Sequence, residues 1–516
     1  MSYDKWINIS NGCEVAISET ASASGDPRLV KPADLYDRDA EWVDLTRFVT
    51  AQDPGALLGI MYGRRRQGKT LLLELLAEAC DGFLFMGLQQ SRVQNLADLA
   101  AAYSRKTGLA GASFGSWHDA IDALLRLGQA PGLPVPVILD EFGYLTDSAP
   151  ELPSVIQRLL SPRGAARQRS SARLILCGSA LSLMKDLVSA GSPLRGRSRL
   201  ELMIHPFGYR ASAGFWGADQ DPYLAFRIHA LVGGTPAYLD MCGKAPARSR
   251  DFDRWVIETL LNPSSAMFRE GDILVREEQQ VSDPALYHAV LATLAGGAGR
   301  RSEIASRLGR TDASLTHVLA MLEQIKLVAR LDDALRDRRP VYRIAEPIIR
   351  FHQLVVRRNE ARLVARAGDR VWAEAADTVN SLIYGPHLEE LARVWCAEHA
   401  SQQTLGGIAS KVQPATLSCA EHQQGHELDI VVTESNPMRA DRIVAIGEVK
   451  STTSSMGPAQ LARLEHIRQL IPAQKAPGVV RLILVSRSGF QTELTSLMRS
   501  RDDVVLVDMQ RLYGGD

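Results

Sequence analysis

The spacing of apolar and polar positions changes along this chain, and each change marks a new kind of element. Leu57-Leu58-Gly59-Ile60-Met61-Tyr62 is an unbroken apolar run, which predicts a short strand buried on both faces. After a glycine-bearing loop, Leu71-Leu72-Leu73-Glu74-Leu75-Leu76-Ala77 reads as the start of a helix. Asp81 to Leu88, Val135 to Asp140 and Arg173 to Cys177 are further strand candidates, while Asn95 to Tyr103 and Trp117 to Leu127 carry apolar residues at helical spacing. Strands alternating with helices from about Leu35 to His205 predict a doubly wound parallel sheet.

The pattern then turns helical from Phe207 to Asp283, broken by Gly233-Gly234-Thr235-Pro236 and by Ala245 to Arg250. Helices are expected at Tyr287 to Ala295, Arg301 to Leu308 and Ser314 to Gln324, with Gly309 as a turn. Two strands follow, Leu327 to Leu331 and Val341 to Ile344, joined by a charged turn from Asp332 to Arg339. Three helices and a β-hairpin make a winged-helix pattern. A long helical stretch, Pro347 to Arg370, leads to a final α/β region. The expected organisation is an extension over 1–34, an α/β core over 35–205, a helical lid over 206–283, a winged-helix unit over 284–346, a connecting helix over 347–380 and a C-terminal domain over 381–516.

Composition narrows the function classes. The chain of 516 residues has 59 Lys+Arg and 59 Asp+Glu, so no global basicity advertises nucleic acid, and contacts of that kind have to be local. Cys13, Cys80, Cys177, Cys242, Cys396 and Cys419 are scattered without a C-x-x-C pair, and are expected to be small buried residues of a reducing compartment instead of a disulfide frame or zinc site. Neither a secretory n-region and h-region nor a bilayer-length apolar run is present, so a cytoplasmic protein without membrane contact is expected.

The chemistry is most sharply written at Gly63-Arg64-Arg65-Arg66-Gln67-Gly68-Lys69-Thr70, which matches G-x-x-x-x-G-K-[ST]. In such a loop the glycines let backbone N–H groups turn toward phosphate oxygens, the lysine reaches the β and γ phosphates, and the hydroxyl ligates Mg²⁺. Strand before and helix after place the anion at a helix N-terminus. ATP and Mg²⁺ are therefore the expected cofactors. Asp140-Glu141, ending the apolar run from Val135, supply the second acidic element: Asp140 beside Thr70 as Mg²⁺ partner, Glu141 to polarise the attacking water. Ser179, at the end of the next strand, is placed to sense the γ-phosphate or, equally, to cap a helix. Arg195-Gly196-Arg197 offers an arginine finger toward a neighbouring subunit's nucleotide, or simply surface arginines.

Taken together, Asp37-Arg38-Asp39-x-Glu41, Tyr62-Gly63-Arg64-Arg65 through Lys69-Thr70, Leu139-Asp140-Glu141-Phe142-x-Tyr144-Leu145, Ser192-Pro193-Leu194-Arg195-Gly196-Arg197 with His205-Pro206-Phe207, and Gly233-Gly234-Thr235-Pro236-x-Tyr238-Leu239 resemble the archaeal and bacterial P-loop ATPases of the AAA+/STAND lineage. Arg195 stands where that family has an aromatic residue, which leaves Arg197 as the better match to its arginine. The resemblance runs from about Leu35 to the C-terminus and implies a P-loop core with helical lid, a winged-helix unit and a C-terminal domain resembling PD-(D/E)XK nucleases, either active or decayed.

The residues in that last domain fit the resemblance. Asp429 lies in the strand-like run Glu427 to Val432, and Glu448 and Lys450 share one face of the run Ile443 to Lys450, because side chains alternate with period two. Asp429 and Glu448 on neighbouring strands bracket a divalent ion, Mg²⁺ or Mn²⁺, and Lys450 steadies the attacking water or the phosphate. Glu389, on the amphipathic run Leu388 to His399, matches the family's upstream helix acid, with Glu390 as the alternative. The competing reading is a Glu448–Lys450 ion pair in an ordinary α/β domain.

Arg300, Arg301, Arg307 and Arg310, with Arg336, Arg338 and Arg339 in the wing, are candidate phosphate contacts. Arg358, Arg362, Arg366 and Arg370 recur every four residues, as a phosphate-tracking stripe or a solvated helix face. The expectation is an ATP-hydrolysing, DNA-acting homo-oligomer with metal-dependent DNA cleavage, in defence or mobile-element control. The alternative is an ATP-driven signalling switch whose C-terminal domain is an inactive scaffold.

Overall fold

A computed structural model describes residues 29–129, 134–276, 283–336, 339–419, 424–436, 438–498 and 501–516. Most of the N-terminal arm, with Cys13, and Arg338 of the wing lie outside them.

Five strands form the first sheet: β1 (Leu57–Tyr62), β2 (Phe83–Met86), β3 (Pro136–Asp140), β4 (Arg173–Gly178) and β5 (Ser198–Met203). All neighbours are parallel, in the order β2-β3-β4-β1-β5. Every residue of β3 and β4 is buried, as helices packed on both faces of a parallel sheet require. One core holds Leu58, Ile60, Leu139 and Leu176 against Trp117, Ile121 and Ile156, and the opposite one holds Met61, Ile138 and Ile175 against Leu45, Leu72 and Leu76. This is a parallel α/β sheet with helices on both faces. Because β4 lies between β1 and β3, the C-terminal ends of all three converge. β5, an edge strand with half-buried positions, carries no apolar run and was not among the expected strands.

The region expected to form a lid contains the helices Tyr209–Phe215, Pro222–Val232, Ala237–Cys242, Phe252–Thr259 and Glu270–Arg276. Pro222–Val232 starts where the Asp221 carboxylate accepts from Leu224 N at 3.0 Å. It stops at Gly233, whose φ of 69° suits glycine. At Gly234 a Cβ would lie 1.9 Å from the Phe207 carbonyl oxygen, so only glycine lets the lid turn lie against the end of the core.

Helices Pro284–Ala295, Arg301–Arg307 and Asp312–Gln324 precede an antiparallel hairpin of β6 (Val328–Leu331) and β7 (Val341–Ile344). The expected straight connector is broken: Pro347–Phe351 passes through a π-turn at 352–356 and a 3₁₀ turn at 357–359 into Glu360–Val364, and Arg366 has φ 64°. Its arginines therefore form no single stripe.

The C-terminal unit runs as helix Gly385–Glu398, β8 (Lys411–Cys419), β9 (Gln424–Asn436), β10 (Arg439–Lys450), helix Pro458–Leu470, β11 (Arg481–Ser486) and β12 (Val504–Val507). The sheet order is β12-β11-β10-β9-β8, with β8, β9 and β10 antiparallel and β11 and β12 parallel to β10. Ile430, Val432, Ala445 and Ile483 share a core with Leu388 and Trp395 of the first helix, while Val431, Ile446 and Leu482 share one with Leu461 and Leu464 of the second. Among the described residues, no helix is long and apolar enough to cross a membrane.

Candidate functional site

The loop Gly63 to Gly68 connects β1 to the helix Lys69–Ala79. Its turn uses left-handed backbone at Arg66 (φ 67°) and Gly68 (φ 81°), which aims the start of the helix into the loop's concave side. Lys69 is buried, and its Nζ donates to the carbonyls of Gly63 and Arg64, both at 2.7 Å. Burial lowers its pKa from the ordinary lysine value. Thr70 Oγ1 donates to Asp140 Oδ2 at 2.8 Å, and Asp140 Oδ1 accepts from Glu141 N at 2.8 Å. A hydroxyl and a carboxylate in contact beside a phosphate loop are hard oxygen donors that suit Mg²⁺.

Glu141 has left-handed backbone (φ 48°), which turns its side chain from the strand toward Ser179, whose Oγ donates to it at 3.0 Å. Ser179 thus holds the carboxylate predicted to orient water. The loop, Glu141 and the turn after Gly233 line a cleft of about 710 Å³, with Lys69, Thr70, Pro236 and Asp240 among its walls. That volume accommodates a nucleotide. Arg197 lies before the edge strand, half-buried, with its Nε donating to the Pro193 carbonyl at 3.3 Å.

Several residues around the cleft have contacts that the sequence did not announce. Tyr36, Phe207 and Phe215 line the cleft and pack with ring centroids 5.0–5.6 Å apart. Arg38 lies over the Phe207 ring at 4.6 Å and donates to the Gln67 carbonyl at 3.2 Å, joining this aromatic wall to the phosphate loop. The loop's three arginines each reach another element. Arg65 donates to Tyr144 Oη at 2.6 Å, Arg66 pairs with Glu270 of the lid at 3.4 Å, and Arg64 pairs with buried Glu346 at the head of the connector.

From Glu346 a line of charges continues, buried except at half-exposed Glu390. Arg350, one turn on, donates to the Ile344 carbonyl at 2.7 Å and faces Glu390 at 3.9 Å, and burial lowers its pKa. Burial raises the Glu390 pKa, opposed by Arg350 and Arg393. Arg393 donates to the Asp429 carbonyl at 3.1 Å.

Asp429 is where the second predicted site begins. Its carboxylate accepts from Val449 N at 2.8 Å, and burial, then Glu389, then Glu448 push its pKa up to about 7. Glu389 and Asp429 line a cavity of about 300 Å³ between the sheet and the winged-helix unit. A buried carboxylate with further carboxylates beside it suits a cation. Glu448 is turned to two bases instead: Lys450 at 2.7 Å and Arg463 of the helix Pro458–Leu470.

The candidate DNA contacts divide. Arg300, Arg301, Arg330 and Arg339 line a groove of about 560 Å³ on the winged-helix unit. Arg336 donates to Ser418 of β8 at 2.6 Å, and the Asp333 carboxylate receives Thr416 N at 3.0 Å, so this side of the wing is docked on the C-terminal sheet. Arg362 pairs with Glu374, and Arg366 donates to Asn262 and Ser264.

No family model matches the chain. An uncharacterized protein of Methanocaldococcus jannaschii, MJECL04, is 24% identical over 297 residues, 57% of this chain; the match spans 62% of that protein's length. Among solved structures, the Walker-type ATPase PABY2304 of Pyrococcus abyssi is 21% identical, with 62% of this chain and 96% of that one covered and a TM-score of 0.46. The ORC2 protein of Aeropyrum pernix, in ADPNP and ADP complexes, is 16% identical, with coverages of 68% and 99% and a TM-score of 0.40. The ORC1 protein of the same organism, in complex with DNA, is 17% identical, with coverages of 66% and 97% and a TM-score of 0.31.

Proposed function

We propose that this chain binds and hydrolyses ATP and uses the nucleotide state to control a carboxylate site in its C-terminal domain that acts on DNA. The observation that carries the ATP reading is the contact between Thr70 and Asp140 at the mouth of the loop Gly63 to Gly68, where β1 and β3 end together. Bound Mg²⁺ would neutralise phosphate charge there. Thr70 and Asp140 hold the ion's place, Lys69 exchanges its two carbonyl partners for phosphate oxygens, and Glu141, steadied by Ser179, orients water. The aromatic wall of Tyr36, Phe207 and Phe215 receives the base. ADPNP and ADP in the ORC2 protein and DNA in the ORC1 protein are consistent with this reading.

Coupling is supported by the charged line from Arg64 through Glu346, Arg350, Glu390 and Arg393 to Asp429. Phosphate drawing Arg64 toward the cleft would change the field at Glu346 and, through Arg350, at the carboxylates around Asp429. In the C-terminal domain the order helix-β-β-β-helix-β, with Asp429, Glu448 and Lys450 on adjoining strands, supports a nuclease-like site in which Glu389, Asp429 and Glu448 hold Mg²⁺ or Mn²⁺. A bound ion there would activate water for phosphodiester cleavage. Arg197 remains the candidate finger for a neighbouring subunit in a homo-oligomer. A second reading, an ATP-driven switch with an inactive scaffold, is favoured by the hold of Lys450 and Arg463 on Glu448.

The test incubates full-length protein with supercoiled and linear DNA, Mg²⁺ or Mn²⁺, with and without ATP. Controls are Lys69→Ala and the double variant Asp429→Ala, Lys450→Ala. ATP hydrolysis lost in the first variant and DNA cleavage lost in the second support the proposal. Cleavage surviving the double variant refutes the site, and hydrolysis without any cleavage supports the switch.

A further inference from the structure

A second cluster of ligand-type side chains lies in the C-terminal unit, outside both sites described above. Cys419 closes β8 and His426 lies near the start of β9. In the antiparallel register Leu417 faces His426 and Cys419 faces Gln424, so Cys419 and His426 are diagonal neighbours on one face. His466 comes from the helix Pro458–Leu470, which packs on that face through Leu461, Leu464 and Ile467. One ligand atom from each of the three residues lies within 4.8 Å of the other two. Cys419 Sγ is 3.6 Å from His466 Nε2, and the two imidazole rings are 5.5 Å apart at 75°.

That sulfur–nitrogen distance matches two donors sharing one zinc ion. With Zn–S of about 2.3 Å and Zn–N of about 2.0–2.1 Å, a tetrahedral angle separates the two donors by about 3.5 Å. One thiolate and two imidazoles, the ligand set among the described residues, form a borderline-soft set that selects Zn²⁺ over Mg²⁺ or Mn²⁺. Cys419 and His426 are buried while His466 is half-buried, so a fourth position can be filled by water.

We propose that Cys419, His426 and His466 bind one Zn²⁺ that fastens the helix Pro458–Leu470 to the β8–β9 hairpin. The consequence reaches the neighbouring carboxylate site. Arg463, three residues before His466 and so on the same side of the helix, pairs with Glu448 and donates to the Glu427 carbonyl at 3.2 Å. Zinc at His466 would therefore fix the arginine that holds Glu448.

The experiment uses full-length protein carrying no polyhistidine tag, stripped with a chelator, incubated with one equivalent of Zn²⁺, desalted and measured by plasma mass spectrometry. We expect one zinc per chain in the wild type and less than a tenth of that in Cys419→Ser and in His466→Gln. Asp429→Ala with Glu448→Ala should keep the full equivalent, which separates this ion from any at the carboxylate site. An unchanged far-ultraviolet circular dichroism spectrum in each variant certifies folding. Co²⁺ in place of Zn²⁺ should give tetrahedral ligand-field bands and a thiolate-to-cobalt charge-transfer band that Cys419→Ser abolishes. Failure of the wild type to retain zinc, equal retention by the variants, or cobalt bound without the thiolate band would each overturn the assignment and leave a simple thiol–imidazole contact.

Discussion

The buried ion pair between Arg64 and Glu346 is the most exposed point of the proposed coupling, because it ties the loop Gly63 to Gly68 to the head of the connector. Its side chains are 8% and 3% exposed. Glu346→Gln keeps the volume but removes the negative charge facing Arg64. At an effective dielectric of about 20 and a contact of about 3 Å, the lost attraction is about 5 kcal/mol. Removing one partner of a buried pair typically costs about 3–5 kcal/mol. A loss of about 3 kcal/mol lowers the melting temperature of a unit of this size by roughly 6–12 °C. Calorimetry of Glu346→Gln, Arg64→Met and the double variant measures this directly. The double variant removes both charges, so it should be less destabilised than the sum of the single variants by about 2–3 kcal/mol. A shift under about 2 °C for Glu346→Gln, or a coupling below about 0.5 kcal/mol, would refute the view that these charges depend on each other.

Three more outcomes follow from the same geometry. Tyr36→Ala and Phe215→Ala should each weaken ATP binding by roughly 2- to 12-fold, from about 0.5–1.5 kcal/mol of ring stacking, and leave inorganic tripolyphosphate binding unchanged in titration calorimetry. His229 of the lid and His387 of the helix Gly385–Glu398 lie 3.0 Å apart, and burial lowers both pKa values, His229 to about 4. The unfolded chain therefore takes up these protons first, so stability present above about pH 6.5 should fall as pH drops toward about 4, with a shallower fall in melting temperature in His387→Gln. Replacing Arg300 and Arg339 with alanine should reduce the slope of log affinity for DNA against log salt by about two, with the loss equal across sequences, and an unchanged slope would remove the groove from the interface.

Legibility in the sequence followed how far apart the cooperating residues lie. The loop from Gly63 to Thr70 and the pair Asp140-Glu141 could be read because each carries its chemistry in contiguous residues whose flanks reveal strand and helix, and the structure brings Thr70 to Asp140. Nothing local announces that Arg64 and Arg66 answer to Glu346 and Glu270, more than two hundred residues away; an arginine in a loop looks solvated until a partner folds onto it. The four-residue recurrence of Arg358, Arg362, Arg366 and Arg370 resembles a helix face, yet periodicity describes a stripe only while backbone dihedrals stay helical. The left-handed turn at Arg366 ends that condition, and Arg362 and Arg366 are engaged by Glu374, Asn262 and Ser264. Cys419 shows the same limit from the other side. Judged by C-x-x-C spacing it was an inert buried thiol, but strand register sets it diagonally beside His426, and a helix forty residues on supplies His466. A spacing rule detects ligands that share a turn; ligands that share a sheet face are separated by whatever length the hairpin and crossover require. The carboxylates around Asp429 are likewise spread over separate elements: the sequence offers Glu389, Asp429 and Glu448 as candidates, but of the two cations that hold Glu448, Arg463 had no motif to give it away.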